Sequence, residues 1–260
     1  MEFEKYSGLG NDFIITKEEL SIEEVVKYCE RRKSIGADGI IILKKKEENY
    51  YMHFYNADGS LASMCGNGIR CYVHYLYNHN LVSKDDEILI DTLSGIKKIR
   101  IINDDKNDFW VSVDMNKAIN TTEIKEIKAL DRKFEYIYTF TGTDHVVIYI
   151  DKEDLNEEFV IKYGKNIEQN KEVFPKGTNV NFVYVKNMDE VEIMTFERGA
   201  GLTLACGTGA SAVGYISNKL GKTNEKIKAK LLGGNLEIEL KNDTIYMNGP
   251  SELIYKGSVE

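Results

Sequence analysis

Two cysteines occupy the same local setting, Met64-Cys65-Gly66-Asn67-Gly68-Ile69 and Ala205-Cys206-Gly207-Thr208-Gly209-Ala210, at an offset of 206 − 65 = 141 residues. Each Cys-Gly-x-Gly leads into apolar residues at helical spacing. After the first these are Ile69, Tyr72, Val73 and Leu76; after the second they are Ala210, Val213 and Leu220, with Gly221 placed as a stop. A cysteine at a helix N-terminus lies beside unpaired N–H groups and the positive end of the dipole, which lowers its pKa below the ordinary value of about 8.5 and makes the thiolate accessible. The glycines that follow let backbone amides approach a carboxylate closely. One such turn offers a base and an anion cradle. Two of them, brought to opposite sides of one small anionic molecule, can take a proton from one face and return a proton to the other, which is two-base racemisation.

The other cysteines read differently. Cys29 lies on the apolar stripe of an earlier helix and reads as a small buried hydrophobe, while Cys71, six residues past Cys65, lies inside its helix where the dipole has faded. No C-x₂-C or H-x₃-H pair gives zinc-ligand spacing, and no Gly-Lys-Ser/Thr follows the glycines as a P-loop requires. Neither a metal site nor a cofactor is expected.

The elements that must carry the two cysteines are mostly short strands. Runs at 51–55, 87–91, 96–102, 109–113, 134–140, 146–150, 181–185, 191–196, 227–231, 236–240 and 244–247 are β-branched or aromatic with alternation, bounded by Gly, Asn and Asp. A first helix is expected after the capping box Ser21-Ile22-Glu23-Glu24, with Ile22, Val25, Val26 and Cys29 as its apolar face. The run Lys44-Lys45-Lys46-Glu47-Glu48 reads as a solvated loop. The chain also resembles itself beyond the cysteines: Gly10-Asn11-Asp12-Phe13-Ile14-Ile15 aligns with Gly142-Thr143-Asp144-His145-Val146-Val147, and a glycine leads a strand in both Gly95-Ile96-Lys97 and Gly234-Asn235-Leu236. Three anchors in register predict an α+β protein of two homologous halves with a boundary near residue 116, since solenoid repeats are shorter.

Over 260 residues, 34 basic against 42 acidic side chains leave a formal charge of −8, which argues against a nucleic-acid partner. The longest apolar runs fall far short of the roughly 20 residues a spanning helix needs, so no membrane segment is expected. The opening Met1-Glu2-Phe3-Glu4-Lys5 has no leader character, so a cytoplasmic protein with reduced cysteines is the expectation.

From end to end the chain resembles the diaminopimelate epimerase family. The resemblance is carried in order by Tyr6-Ser7-Gly8-Leu9-Gly10-Asn11-Asp12-Phe13, Gly36-Ala37-Asp38-Gly39, Asn56-Ala57-Asp58-Gly59-Ser60, Met64 to Cys71, Asn179-Val180-Asn181-Phe182, Glu197-Arg198-Gly199-Ala200-Gly201 and Ala205 to Gly209. It implies two similar domains, each a β-barrel-like sheet around a central helix. Residues 1–116 with 250–260, the returning last strand, would form the Cys65 half, and residues 117–249 the Cys206 half. It implies an active site in the interdomain cleft and a proton transfer that needs no pyridoxal cofactor, serving lysine and peptidoglycan precursor synthesis. A small-molecule amino-acid substrate is the implied partner, and family members are often homodimers.

By the same resemblance Cys65 and Cys206 are the thiolate and thiol that exchange roles between L,L- and meso-diaminopimelate. Gly66, Asn67, Gly207 and Thr208 cradle the reacting carboxylate, His145 and Glu197 hold the amino group and tune the thiols, and Asn11, Asn56, Asn179 and Arg198 grip the substrate, Arg198 at the distal carboxylate. Taken singly, the three asparagines read as turn residues, His145 as a structural histidine and Glu197-Arg198 as a surface pair. Where the family reads Gly-Asn-Pro-His, this chain has Gly142-Thr143-Asp144-His145, so Thr143 replaces a substrate-gripping Asn; Leu61 and Leu202 replace acidic residues. Three readings stand at this point: a diaminopimelate epimerase, a racemase of another amino acid such as histidine on the same fold, and a non-catalytic amino-acid-binding or thiol redox protein.

Overall fold

The computed structural model describes residues 1–260. The chain forms two compact units, Met1–Val113 with Gly249–Glu260, and Asp114–Asn248.

In the first unit Glu252–Ser258 pairs antiparallel with Glu2–Gly8, which pairs antiparallel with Asn11–Thr16. Helix α1 (Ile22–Cys29) then carries the chain to Gly39–Lys46, parallel to Asn11–Thr16, and a hairpin returns it as Asn49–Asn56. Helix α2 (Gly66–Asn78) makes a second crossover to Ile88–Asp91, parallel to Asn49–Asn56, and the strands Lys97–Asp105 and Asp108–Lys117 follow antiparallel.

The second unit repeats this succession. Lys125–Ala129, Arg132–Phe140 and Asp144–Tyr149 are joined antiparallel, and helix α3 (Glu157–Glu168) leads to Asn179–Asn187, parallel to Asp144–Tyr149. A hairpin gives Glu190–Glu197, helix α4 (Gly207–Lys219) leads to the parallel Lys226–Leu231, and Gly234–Lys241 and Thr244–Pro250 close the series antiparallel. The fold is thus α+β with two homologous domains, each a sheet wrapped around one cysteine-led helix. The internal alignment has a structural meaning: Asn11–Thr16 and Asp144–Tyr149 are the same strand of the repeat.

Both central helices are enclosed. Every residue of α2 from Gly66 to Leu76 is buried, as are most residues of α4 from Gly207 to Ser217, the pattern of a helix surrounded by sheet rather than lying on it. Arg70, fully buried in α2, satisfies its guanidinium on the Gly66 and Pro250 carbonyls and the Asn67 side chain, so the charge staples the first turn of its own helix.

Several local expectations are corrected. The capping box on α1 forms, but its buried face is Val25, Tyr28 and Cys29; Ile22 and Val26 are exposed, because the helix lies on the sheet by a narrower stripe than the spacing allowed. Helix α3 was not expected, although Asn156 caps it through the Phe159 N–H and Phe159, Val160, Tyr163 and Ile167 form its buried face. Lys44, Lys45 and Lys46 are not loop residues: they finish a strand, paired with Tyr51, Tyr50 and Asn49. Leu220 is a half-exposed C-cap of α4, while Gly221 takes the positive φ expected of a stop. No helix is long and apolar enough to cross a membrane.

Candidate active site

Cys65 is the N-cap of α2, and its Sγ accepts the Gly68 N–H at 3.4 Å, the contact that favours a thiolate. Asn11 stands over it: the Asn11 Oδ1 takes the Cys65 thiol at 3.6 Å and the Asn67 amide at 3.3 Å. The other end of Asn11 donates to Asp38 at 2.6 Å. Asp38 in turn is paired with Arg31, Arg31 with Asp12, and Asp12 with Lys5. Burial alone would raise the Asp12 carboxyl, yet Arg31 and Lys5 hold it below the ordinary range, so the chain of charges is ionised and rigidly ordered. Asn56 is placed otherwise. Its amide donates to the Ser60 hydroxyl and its backbone closes the same turn, so in this structure it shapes the Asn56–Ser60 loop.

Cys206 is the N-cap of α4 and is buried. Its sulfur lies 3.5 Å from the Thr208 hydroxyl, which lies 2.9 Å from His145 Nε2. The direction of these bonds follows from Asn181. The Asn181 amide nitrogen donates to the Val146 carbonyl and its oxygen accepts the Thr195 hydroxyl, so the same nitrogen donates to His145 Nδ1 at 3.2 Å. Nδ1 is therefore the acceptor, Nε2 carries the proton, and the Thr208 hydroxyl is left to turn its hydrogen to Cys206. Burial, helped by the Arg198 charge, pushes the His145 pKa down to about 3, which keeps the ring neutral. With no exposed surface, His145 reaches the reaction only through Thr208; the expectation that it holds a substrate amino group is replaced by that indirect role.

Glu197 acts on the same sulfur in the opposite sense. Burial pushes the Glu197 carboxyl up, while the Thr203 hydroxyl and the Cys206 thiol bond to it and stabilise its charge. For Cys206, burial and the Glu197 charge outweigh Thr208 and the Gly209 N–H, and the thiol pKa rises well above its ordinary value. The helix N-terminus was expected to lower it; enclosure beside a carboxylate reverses the sign. Cys29 and Cys71 are buried thiols pushed up to about 12, chiefly by desolvation.

A second polar cluster forms around Thr143, Asp144, Asn179 and Arg198. Asn179 donates to the Asp144 carbonyl at 2.9 Å and more weakly to the Thr143 hydroxyl at 3.5 Å, and accepts the Arg198 N–H at 3.0 Å. It therefore ties the loop before one strand to the end of another. The Arg198 guanidinium donates to the Lys176 carbonyl at 3.0 Å and approaches Asp144 at 3.5 Å.

Comparison with known proteins places this arrangement. The family model for diaminopimelate epimerase matches residues 3–121 and 137–254. The chain is 38% identical to the diaminopimelate epimerase of Clostridium perfringens, over 99% of both chains, and 37% identical to that of Methanocaldococcus jannaschii, over 98% of this chain and 97% of the other. The chain belongs to the diaminopimelate epimerase family. Solved structures share the fold at much lower identity: a probable proline racemase from Agrobacterium radiobacter (TM-score 0.74, 13% identity, covering all of this chain and 92% of that one) and a hydroxyproline epimerase from Agrobacterium vitis (TM-score 0.72, 12% identity, covering all and 90%).

Within the family motifs, sequence reasoning gave Asn181 and Asp38 no part. The spacing of Asn179 and Asn181 was the available signal, since residues two apart on a strand face the same side, here the side of α4. Asp38 carried no such signal, because its partner Asn11 is 27 residues away in sequence. The Thr208 hydroxyl was also missed: the residue was chosen for its backbone, and its side chain is what touches Cys206.

Proposed function

We propose that this chain interconverts L,L- and meso-diaminopimelate by a two-base mechanism in which Cys65 and Cys206 work from opposite faces of one α-carbon. The observation that carries the reading is the repeated cysteine N-cap on two topologically equivalent helices, in a chain of this family. The thiolate of one cysteine takes the α-hydrogen, the electron pair delocalises into the adjacent carboxylate, and the other thiol delivers its proton to the opposite face. The first-turn N–H groups of α2 and α4 stabilise the growing enediolate-like charge. Because Cys206 rests as a thiol, it is the donor in the direction that begins with Cys65 as base. The reverse direction requires the thiolate of Cys206, which Thr208 is oriented to support.

The working form in this reading is cytoplasmic, thiol-reduced and independent of pyridoxal or metal. The test is α-hydrogen exchange in deuterium oxide, run with reductant across L,L- and meso-diaminopimelate and a panel of L-amino acids including histidine. Exchange on both diaminopimelate isomers, unchanged by chelator or hydroxylamine, is expected. Exchange on another amino acid alone would move the assignment to a racemase on the same fold. A rate restored only by pyridoxal phosphate or zinc would remove the two-thiol mechanism.

A further inference from the structure

Within the second unit, Asp144 and Arg198 are opposite charges that hold each other only loosely. Their single contact is 3.5 Å, beyond the roughly 2.7–2.9 Å of a strong charge-assisted hydrogen bond. Each is anchored instead by a neutral partner: the Tyr138 hydroxyl donates to Asp144 at 2.6 Å, and Arg198 donates to the Lys176 carbonyl at 3.0 Å. Both side chains stay partly open to solvent, 27% for Asp144 and 40% for Arg198. Asn179 between them has both ends of its amide engaged with protein, so the groups left to meet a ligand here are a carboxylate, a guanidinium and the Thr143 hydroxyl. A pocket meant for a lone carboxylate would gain nothing from Asp144, which repels it.

We propose that Asp144 and Arg198 form a subsite for a zwitterionic α-amino-acid head, Arg198 taking its carboxylate and Asp144 its ammonium, so that Asp144 makes the enzyme selective for substrates carrying both charges at the end that does not react. The inference rests on the diaminopimelate reading above, since that substrate has such a head at each end. It also accounts for Thr143: with a full negative charge next to it, the ammonium needs no amide at that position.

The test compares meso-diaminopimelate with L-α-aminopimelate, which lacks only the distal ammonium, in α-hydrogen exchange by wild type, Asp144→Asn and Arg198→Gln. Loss of a hydrogen bond to a charged group predicts that Asp144→Asn lowers kcat/KM on diaminopimelate by about tenfold or more. On aminopimelate the same variant should stay within about twofold of wild type or improve, because a repulsion has gone; this arm also shows that the variant is folded. Arg198→Gln should lose activity on both. Tyr138→Phe, which frees Asp144 without changing charge, should give a smaller loss on diaminopimelate alone. Equal losses on the two substrates in Asp144→Asn, or no loss on either, would overturn the subsite and leave the epimerase reading standing. If wild type exchanges neither compound, both fall.

Discussion

The two cysteine-led helices start from the same backbone and end in different electrostatic settings. Around Cys65 the nearest polar side chain is Asn11, held in place by a string of full charges running through Asp38, Arg31, Asp12 and Lys5. Around Cys206 the nearest is Thr208, held by a neutral His145 that is itself held by Asn181, all buried, with one carboxylate, Glu197, pressing on the sulfur. Charge–charge networks tolerate water, since partly exposed ions keep much of their solvation, whereas in a dry site a neutral relay avoids the desolvation of a buried imidazolium. Duplication preserved what the backbone supplies, the N-cap and first-turn amides. What diverged is the side-chain shell that sets the proton on each sulfur. An epimerase working from two faces profits from that asymmetry, because its resting state needs one base and one acid rather than two of either.

Removing either sulfur is the strongest way to break the comparison. Cys65→Ala and Cys206→Ala should each lower epimerisation by about 10²–10⁴-fold or more, the range ascribed to a positioned acid or base. With Cys→Ser, proton abstraction by the remaining thiol should persist on one face, visible as elimination from a substrate bearing a β-leaving group. Near-native turnover of either alanine variant would contradict the two-base scheme.

The glycine two residues past Asn67 and its counterpart past Gly207 separate the halves next. A methyl group on Gly209 would collide with the Asn181 side-chain oxygen and come within 3.2 Å of the Cys206 sulfur, while one on Gly68 would meet the flexible end of Met52 at 3.0 Å and the Cys65 Cβ at 3.4 Å. Gly209→Ala should therefore cost about 1–3 kcal/mol by overpacking and misplace the His145 relay. Gly68→Ala should cost less, since the methionine can yield and alanine is better than glycine in a helix by about 1 kcal/mol. Chemical denaturation of the two variants measures the difference; equal losses would mean that the packing around the two caps is not distinct.

These contrasts also show which parts of the molecule could be read from sequence. The caps were legible because a cysteine followed by glycines acts locally, through its own next three residues, and the repeat made them credible. The Asn181–His145–Thr208 relay was not, because it is assembled from a strand register, His145 opposite Asn179 and Val147 opposite Asn181, that joins residues more than 30 apart. Helix α3 was written in Asn156 and the spacing of Phe159, Val160, Tyr163 and Ile167, but lay between strand-like runs that drew attention away. The sign of the Cys206 shift was illegible for a physical reason: a helix dipole can be inferred from position, whereas burial beside Glu197 depends on the enclosing sheet.

The opposed inputs on Cys206 can be titrated. Glu197→Gln removes the carboxylate that raises the thiol pKa, so alkylation of Cys206, followed in a Cys65→Ser background, should begin at lower pH than in the parent. Thr208→Val removes the hydroxyl that favours the thiolate and should shift alkylation to higher pH. Parallel shifts in the same direction would show that Thr208 and Glu197 do not act in opposition.

The smallest effect is expected at Thr143, where the second half departs from the family while its counterpart in the first half, Asn11, does not. Asn11 uses both ends of its amide, one on Asp38 and one toward Cys65. Thr143 is shorter, has a single hydroxyl, and meets Asn179 only at 3.5 Å, at the outer limit of a hydrogen bond. Little in the folded protein depends on it, so Thr143→Asn should leave stability within about 0.5 kcal/mol, as surface substitutions usually do. On diaminopimelate its effect should be neutral to a severalfold gain in kcat/KM, since Arg198 and Asp144 already present charges to the distal end and an amide adds at most one further neutral hydrogen bond, worth about 0.5–1.5 kcal/mol. The gain, if any, should shrink in wild-type Asp144 relative to the Asp144→Asn background, where the amide becomes the only acceptor left for the distal ammonium. A loss of diaminopimelate turnover in Thr143→Asn, with another amino acid exchanged faster by wild type, would show that the loop had been rebuilt around a different side chain.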